Sequence, residues 1–131
     1  MSMSREIKFR AWNSMAKKIL HFGNPIGIMD NEDRYGTFFE SLEGKMYCGG
    51  NYELMQYTGL KDKNGKEIYE GDIVSVMDLI GPTTELVDSV TFENGAFRLT
   101  RVRDFTLDEC VIEHIEVIGN IYENPELLEE K

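Results

Sequence analysis

At 131 residues the chain is sized for one domain of the usual 100 to 150 residues, and 41% hydrophobic with 11% aromatic residues it is far from the composition of a disordered protein. A formal net charge of −10 disfavours a long nucleic-acid footprint, which needs clustered Lys and Arg. Only two cysteines, Cys48 and Cys110, are present, with no Cys-x-x-Cys spacing, so the protein reads as reduced and cytoplasmic rather than as a disulfide framework. The start of the sequence lacks the apolar run of a signal peptide, and no stretch approaches the ~20 apolar residues of a membrane helix, so no membrane role is expected.

Residues 6–12 alternate charge with bulk, which predicts a half-buried strand with Ile7, Phe9 and Ala11 inward and Lys8 and Arg10 outward. A turn over residues 13–17 and a return strand over residues 18–22 complete an N-terminal hairpin, about residues 5–22. Residues 28–51 carry little periodic signal. Asp30, Asn31, Glu32 and Asp33 suggest a capped turn, and Phe38 to Leu42 is too short to separate helix from strand.

Residues 54–74 hold two turns between three extended segments, because Asn64 and Gly65 tolerate positive φ and Glu70-Gly71-Asp72 interrupts the chain before a β-branched run. Ile73 to Met77 follows as a strand, then an irregular bridge through Gly81 and Pro82. Asn94-Gly95 predicts a two-residue type I′ hairpin in which Glu93 faces Ala96, Phe92 faces Phe97 and Val90 faces Leu99, the last two pairs burying four apolar side chains on one face. Residues 111–118 read as extended, and the C-terminal segment 119–131 as carrying a short helix with Asn124 as N-cap and Pro125 in first position. The expected architecture is a single mainly-β domain over residues 1–131, with its β-rich core about 54–118. It is a small curled sheet or partly open SH3-like barrel with β-hairpins and a short C-terminal helix.

Charge is uneven along the sequence. From Asp104 onward nine carboxylates stand against Lys131 alone, whereas Arg5, Lys8, Arg10, Lys17 and Lys18 face only Glu6 at the other end. The layout suits solubility and permits pairing between subunits.

Candidate chemistry is sparse. Asp62, Glu67, Glu70 and Asp72 could offer oxygen ligands to a divalent cation, but Asp62 and Asp72 fall at turn positions where a carboxylate caps backbone N–H groups, and calcium-loop spacing is missing. On an extended segment Cys110, His114 and Glu116 share a face, with only His21 and Cys48 to complete a zinc set or to serve a cysteine nucleophile. There is no phosphate-cradling glycine motif. Phe9, Trp12, Tyr57, Tyr69, Phe92, Phe97 and Tyr122 could form a base-stacking platform, although they alternate with polar residues as core positions do. No catalytic, cofactor-binding or metal-binding residues are assigned.

Three segments carry a resemblance. They are Arg5-Glu6-Ile7-Lys8-Phe9-Arg10-Ala11-Trp12, the run Met55 to Val74 with Thr58-Gly59-Leu60-Lys61-Asp62-Lys63-Asn64-Gly65 at its centre, and Glu116-Val117-Ile118-Gly119-Asn120-Ile121-Tyr122-Glu123-Asn124-Pro125-Glu126-Leu127-Leu128. In this order they resemble the YopX family, small proteins found mainly in bacteriophages and prophages of Gram-positive bacteria. The resemblance departs at Asn13, where the family often has Asp, and fades over residues 24–52 and 78–110. It implies a phage or prophage origin and a largely β fold, and brings no catalytic or binding residues. The leading expectation is a non-enzymatic accessory protein in the host cytoplasm, a β-rich interaction module that self-associates as a homo-oligomer and meets an unknown host or phage protein. The alternatives are a nucleic-acid-related module, either a weak single-strand binder or an acidic DNA mimic, and an unrecognised hydrolase or metal enzyme. The oligomer contacts are expected at the outer strands and residues 121–128, where Leu127 and Leu128 must dock on their own sheet or on a neighbour to be ordered.

Overall fold

The computed structural model describes residues 7–22, 29–31, 36–40, 46–47, 52–77, 85–99, 105–109 and 112–129. The described part is mainly β and its only helices are short 3-10 turns, in agreement with the mainly-β expectation. The strands are β1 Phe9–Asn13, β2 Lys18–Phe22, β3 Met29–Asn31, β4 Gly36–Glu40, β5 Met46–Tyr47, β6 Tyr52–Lys61, β7 Glu67–Tyr69, β8 Asp72–Met77, β9 Glu85–Ser89, β10 Thr91–Glu93, β11 Ala96–Leu99, β12 Phe105–Thr106 and β13 Ile115–Asn120. Contacts gather in two compact units, Met1–Tyr57 and Thr58–Lys131, with β6 contributing to each.

In the first unit β1 lies between β2 and the start of β6, antiparallel to both, with Asn13 opposite Lys18 and Phe9 opposite Gln56. Asn13 organises the hairpin turn. Its Oδ1 accepts the N–H groups of Met15 and Ala16 at 3.0 and 3.1 Å, a function an Asp at this position would serve equally. Burial along β1 does not follow the expected alternation: Phe9 is half-buried, and Arg10, at 6% exposed, is buried in succession with Ala11 and Trp12. The outward position expected for Arg10 is corrected: its face of β1 is covered and the side chain, Nε included, is buried, since alternation gives the face of a strand and not what covers it. Ile7, expected inward, precedes the paired strand and is exposed.

The stretch with little signal forms an antiparallel meander, β3 to β4 to β5. Asp30 and Asn31 therefore lie in a strand and not in the capped turn, whose remaining residues fall outside those described. Phe38 and Phe39 resolve as strand.

The second unit is built on β8, which is central between β13 and β9 and buried over Asp72 to Val76. Ile68, Val74, Val76, Val90, Leu99, Leu107, Ile115 and Val117 form its core, with Leu60 and Phe97 packed against them. Strand β9 had no sequence signal, since its apolar residues do not alternate cleanly. Residues 112–114, expected to be extended, form a 3-10 turn, and β13 begins only at Ile115. The C-terminal helix is likewise a single 3-10 turn, Pro125–Leu128, closed by Leu127 N–H to the Asn124 carbonyl at 3.0 Å, and it lies against β9 of the same molecule. That contact lets the segment be ordered without a second subunit.

The Asn94-Gly95 hairpin has the expected register, with Phe92 opposite Phe97 and Glu93 opposite Ala96. Asn94 and Gly95 have φ of 51° and 78°, the two positive values a type I′ loop requires. Burial departs from expectation at one residue. Val90 and Leu99 are buried and Phe97 half-buried, but Phe92 is 50% exposed because the hairpin face leaves the core toward its tip.

Candidate functional site

The segment with the most distinctive sequence, residues 58–73, puts its polar groups onto its own backbone. Thr58 Oγ1 donates to the Ile68 carbonyl at 2.7 Å and accepts the Leu60 N–H at 3.1 Å, which binds the end of β6 to β7. Asp62 is 3% exposed and receives three backbone N–H groups. Its Oδ1 takes those of Asn64 and Lys66 at 2.8 and 2.9 Å, and its Oδ2 takes that of Val117, on β13, at 2.9 Å. The turn from Asp62 to Lys66 also closes through the Lys66 carbonyl and the Asp62 N–H at 2.8 Å, while the Lys63 N–H reaches the Ile115 carbonyl at 2.9 Å. One carboxylate thus shapes a turn and anchors it to a strand more than fifty residues away in sequence.

Burial pushes the Asp62 carboxyl upward, but bonds from the Val117, Lys66 and Asn64 N–H groups and the Lys66 charge outweigh it, and the group sits below its ordinary value of 3.8. Gly65 of the Asn64-Gly65 pair takes the left-handed conformation expected of it, at φ +80°. Asp72, 1% exposed, accepts the Tyr69 N–H through Oδ2 at 2.8 Å. Gly71 is placed where its N–H meets the Val90 carbonyl and its carbonyl takes the Ile121 N–H, at 2.8 and 2.9 Å. Asp62, Glu67, Glu70 and Asp72 do not converge on a point, and among the described residues no cluster of three metal-ligating side chains forms.

The C-terminal segment repeats this economy. Asn120 Oδ1 accepts the Tyr122 and Glu123 N–H groups at 3.0 and 2.8 Å, and its Nδ2 donates to Glu123 Oε1 at 2.8 Å. Asn124 occupies the N-cap position expected of it, yet its side chain makes no cap bond; Oδ1 turns back to accept the Asn120 N–H at 3.2 Å. Gly119 sits directly beneath, where a Cβ would come within 2.6 Å of Asn124 Oδ1. A glycine is needed there for close approach.

The other candidates separate. Cys48 and Cys110 fall outside the described residues. His114 lies in the 3-10 turn and Glu116 in β13, so the alternate-residue reasoning that put Cys110, His114 and Glu116 on one face does not apply, since it holds only for an extended backbone. Glu116 instead receives Asn64 Nδ2 at 3.4 Å and Lys63 Nζ at 3.6 Å. His21 is exposed on β2. Burial removes Trp12, Tyr57 and Tyr69 from any stacking surface, and Phe9 packs beside Ala11. Lys8 Nζ stands 5.4 Å from the Tyr57 ring centre, a cation–π contact within the first unit.

What remains is Phe92. Half its ring is open to solvent, and the other side meets Phe97 edge-on, with ring centres 5.0 Å apart at 61°. The β10–β11 hairpin therefore presents a rigidly backed aromatic face. Sequence pattern alone missed this, because Phe92 occupies an inward register position; its nearness to the two-residue loop was the available signal.

No curated protein matches the sequence. Among solved structures, protein EF1440 from Enterococcus faecalis is similar over 96% of this chain and 100% of its own, at 31% identity and a TM-score of 0.64. YopX from Bacillus subtilis shares the fold over 95% of this chain and 97% of its own, at 21% identity and a TM-score of 0.66. The profile of the YopX protein family matches residues 8–129, which includes the Asp62 turn, the Gly119–Asn124 corner and all but the first residues of the N-terminal segment, and the chain belongs to that family.

Proposed function

We propose that this protein is a non-enzymatic accessory protein of a phage or prophage, working in the host cytoplasm through protein contacts, with the β10–β11 hairpin as a contact surface. The observation that carries the reading is the division of labour in the second unit. Asp62, Thr58, Asn120 and Asn124 turn their polar atoms onto backbone groups of the scaffold, while Phe92 leaves half an aromatic ring exposed beside Phe97. Aromatic residues with a packed back and an open front are frequent anchors of protein interfaces. The YopX resemblance supports the phage setting, and among the described residues no helix is long and apolar enough to cross a membrane.

Self-association belongs to the same proposal. Met15 is 77% exposed at the tip of the β1–β2 hairpin beside exposed Lys17 and Lys18, and Leu127 is 38% exposed between Glu126 and Glu129. The two surfaces are complementary in charge. Affinity capture from infected or lysogenic cells with full-length protein and with Phe92→Ser tests the contact role. Wild type retains a reproducible partner that the variant loses at a temperature where urea melts show both to be folded; equal capture by both refutes it. For self-association, a monomeric mass by light scattering at ~100 μM, far above the nanomolar to micromolar range of stable assembly, refutes the oligomer.

A further inference from the structure

The sequence contains two Asn-Gly steps, Asn64-Gly65 and Asn94-Gly95, and both asparagines are exposed. At such a step the backbone nitrogen of the glycine can attack the asparagine side-chain amide, since glycine has no Cβ to obstruct the approach. The two steps differ in what holds the reacting atoms. The Gly65 N–H donates to the Asp62 carbonyl at 3.0 Å, the Asn64 N–H to Asp62 Oδ1 at 2.8 Å, and Asn64 Nδ2 to Glu116 Oε2 at 3.4 Å. Nucleophile, backbone and leaving group are all tied, and the neighbouring Asp62 and Glu116 carboxylates oppose loss of the Gly65 proton.

The second turn lacks these restraints. Among the described residues neither the Asn94 side chain nor the Gly95 N–H makes a hydrogen bond, while the Cβ position is equally open at Gly65 and Gly95. Asn94 takes φ 51°, which an asparagine tolerates in a type I′ loop, so the two turns are distinguished by their hydrogen bonds and not by backbone strain. Arg98 Nε donates to the Glu93 carbonyl at 3.0 Å and so brings a cation to this turn.

We propose that Asn94 is a site of spontaneous self-modification by deamidation, and that Asn64 is protected from it by its hydrogen bonds. The Gly95 nitrogen gives its proton to solvent base and bonds to Cγ of Asn94, and the side-chain nitrogen leaves as ammonia, closing a succinimide ring. Water then adds to either ring carbonyl. Breaking the new N–Cγ bond gives aspartate, and breaking the original peptide bond between Asn94 and Gly95 gives isoaspartate, whose backbone runs through the former side chain. Isoaspartate lengthens the two-residue loop by one methylene, which the Glu93–Ala96 register cannot absorb, and so loosens the Phe92–Phe97 contact behind it. The inference rests on the geometry of the two turns and is independent of the proposed contact role.

The test ages the purified full-length protein at mildly alkaline pH, natively and in urea, and follows both sites by peptide mapping with fragmentation that separates aspartate from isoaspartate. In the native protein the Asn94 product should exceed the Asn64 product by about tenfold, the effect of one to two net hydrogen bonds on a rate. In urea the ratio should fall to near one, because both steps are then unrestrained Asn-Gly. Equal native rates, a faster Asn64, or a ratio unchanged by urea would overturn the proposal. Asn94→Gln, which closes no five-membered ring, should remove the fast component and leave the slow one at Asn64 unchanged; a fast component that persists in this variant would also overturn it.

Discussion

Replacing Asp62 with Asn isolates the carboxylate that joins the turn to β13. The carboxylate accepts on both oxygens, two N–H groups on Oδ1 and one on Oδ2, whereas an amide has a single acceptor. Whichever way the amide turns, an NH2 group faces a backbone N–H. The lighter loss is at Val117, which is 9% exposed, so that its N–H finds no water in exchange. Losing a charge-assisted bond and stranding a buried donor costs about 1.5 to 3 kcal/mol. With a urea slope of roughly 1 to 3 kcal/mol per molar for a small domain, the midpoint should drop by about 1 M. The pH dependence carries the sign of a depressed carboxyl. The bonds hold Asp62 ionised below its ordinary 3.8, so the stabilisation is complete above that value and is lost as pH falls through the lower folded value. Urea melts across the acid range should show wild type and Asp62→Asn well apart at neutral pH and drawing together below about pH 3.8. A neutral-pH difference under ~0.5 kcal/mol, or one that persists unchanged in acid, would refute the anchoring role.

Gly65→Val should cost more than ~1 kcal/mol in the same melts, and since no atom lies within 4 Å of the site the cost is conformational, so Gly65→Asn should recover much of it. Gly119→Ala, with its Cβ driven into Asn124, should lose about 1 to 3 kcal/mol, and clearly less in an Asn124→Ala background; additive losses would show that the close approach is not the cause. Leu99→Ala should cost about 2 to 5 kcal/mol, but Phe92→Ala only about 1 to 2, because half the ring is already in water. A Phe92 loss equal to that of Leu99 would mean that the hairpin tip is buried and cannot be a contact surface.

Local rules were legible in the residues. Asn94-Gly95 determined the type I′ loop and with it the register of β10 against β11, because two positive φ values in a row admit few other sequences. Asn13 marked its turn, and the β-branched run after Gly71-Asp72 marked the central strand β8. The position of Asp62 at a turn showed that its carboxylate would meet backbone N–H groups. Two of the three family segments were recognisable for the same physical reason, since Met55 to Val74 and Glu116 to Leu128 hold side chains or glycines that a particular turn or close approach demands.

Long-range placement was decided by the tertiary structure. That one oxygen of Asp62 reaches Val117 on β13, that Gly119 lies against Asn124, that Arg10 is buried in a strand flanked on both edges, and that Phe92 emerges although its register position points inward, all depend on which surfaces are brought together. Side-chain alternation gives the face of a strand, but burial depends on what covers that face, and coverage is set by segments distant in sequence. The same limit explains the Cys110, His114 and Glu116 set, which required an extended segment where the backbone tightens into a 3-10 turn at residues 112–114 before β13 begins. Turn chemistry is local and so is written in neighbouring residues; exposure, and with it the candidate contact surface, is a property of the assembled fold.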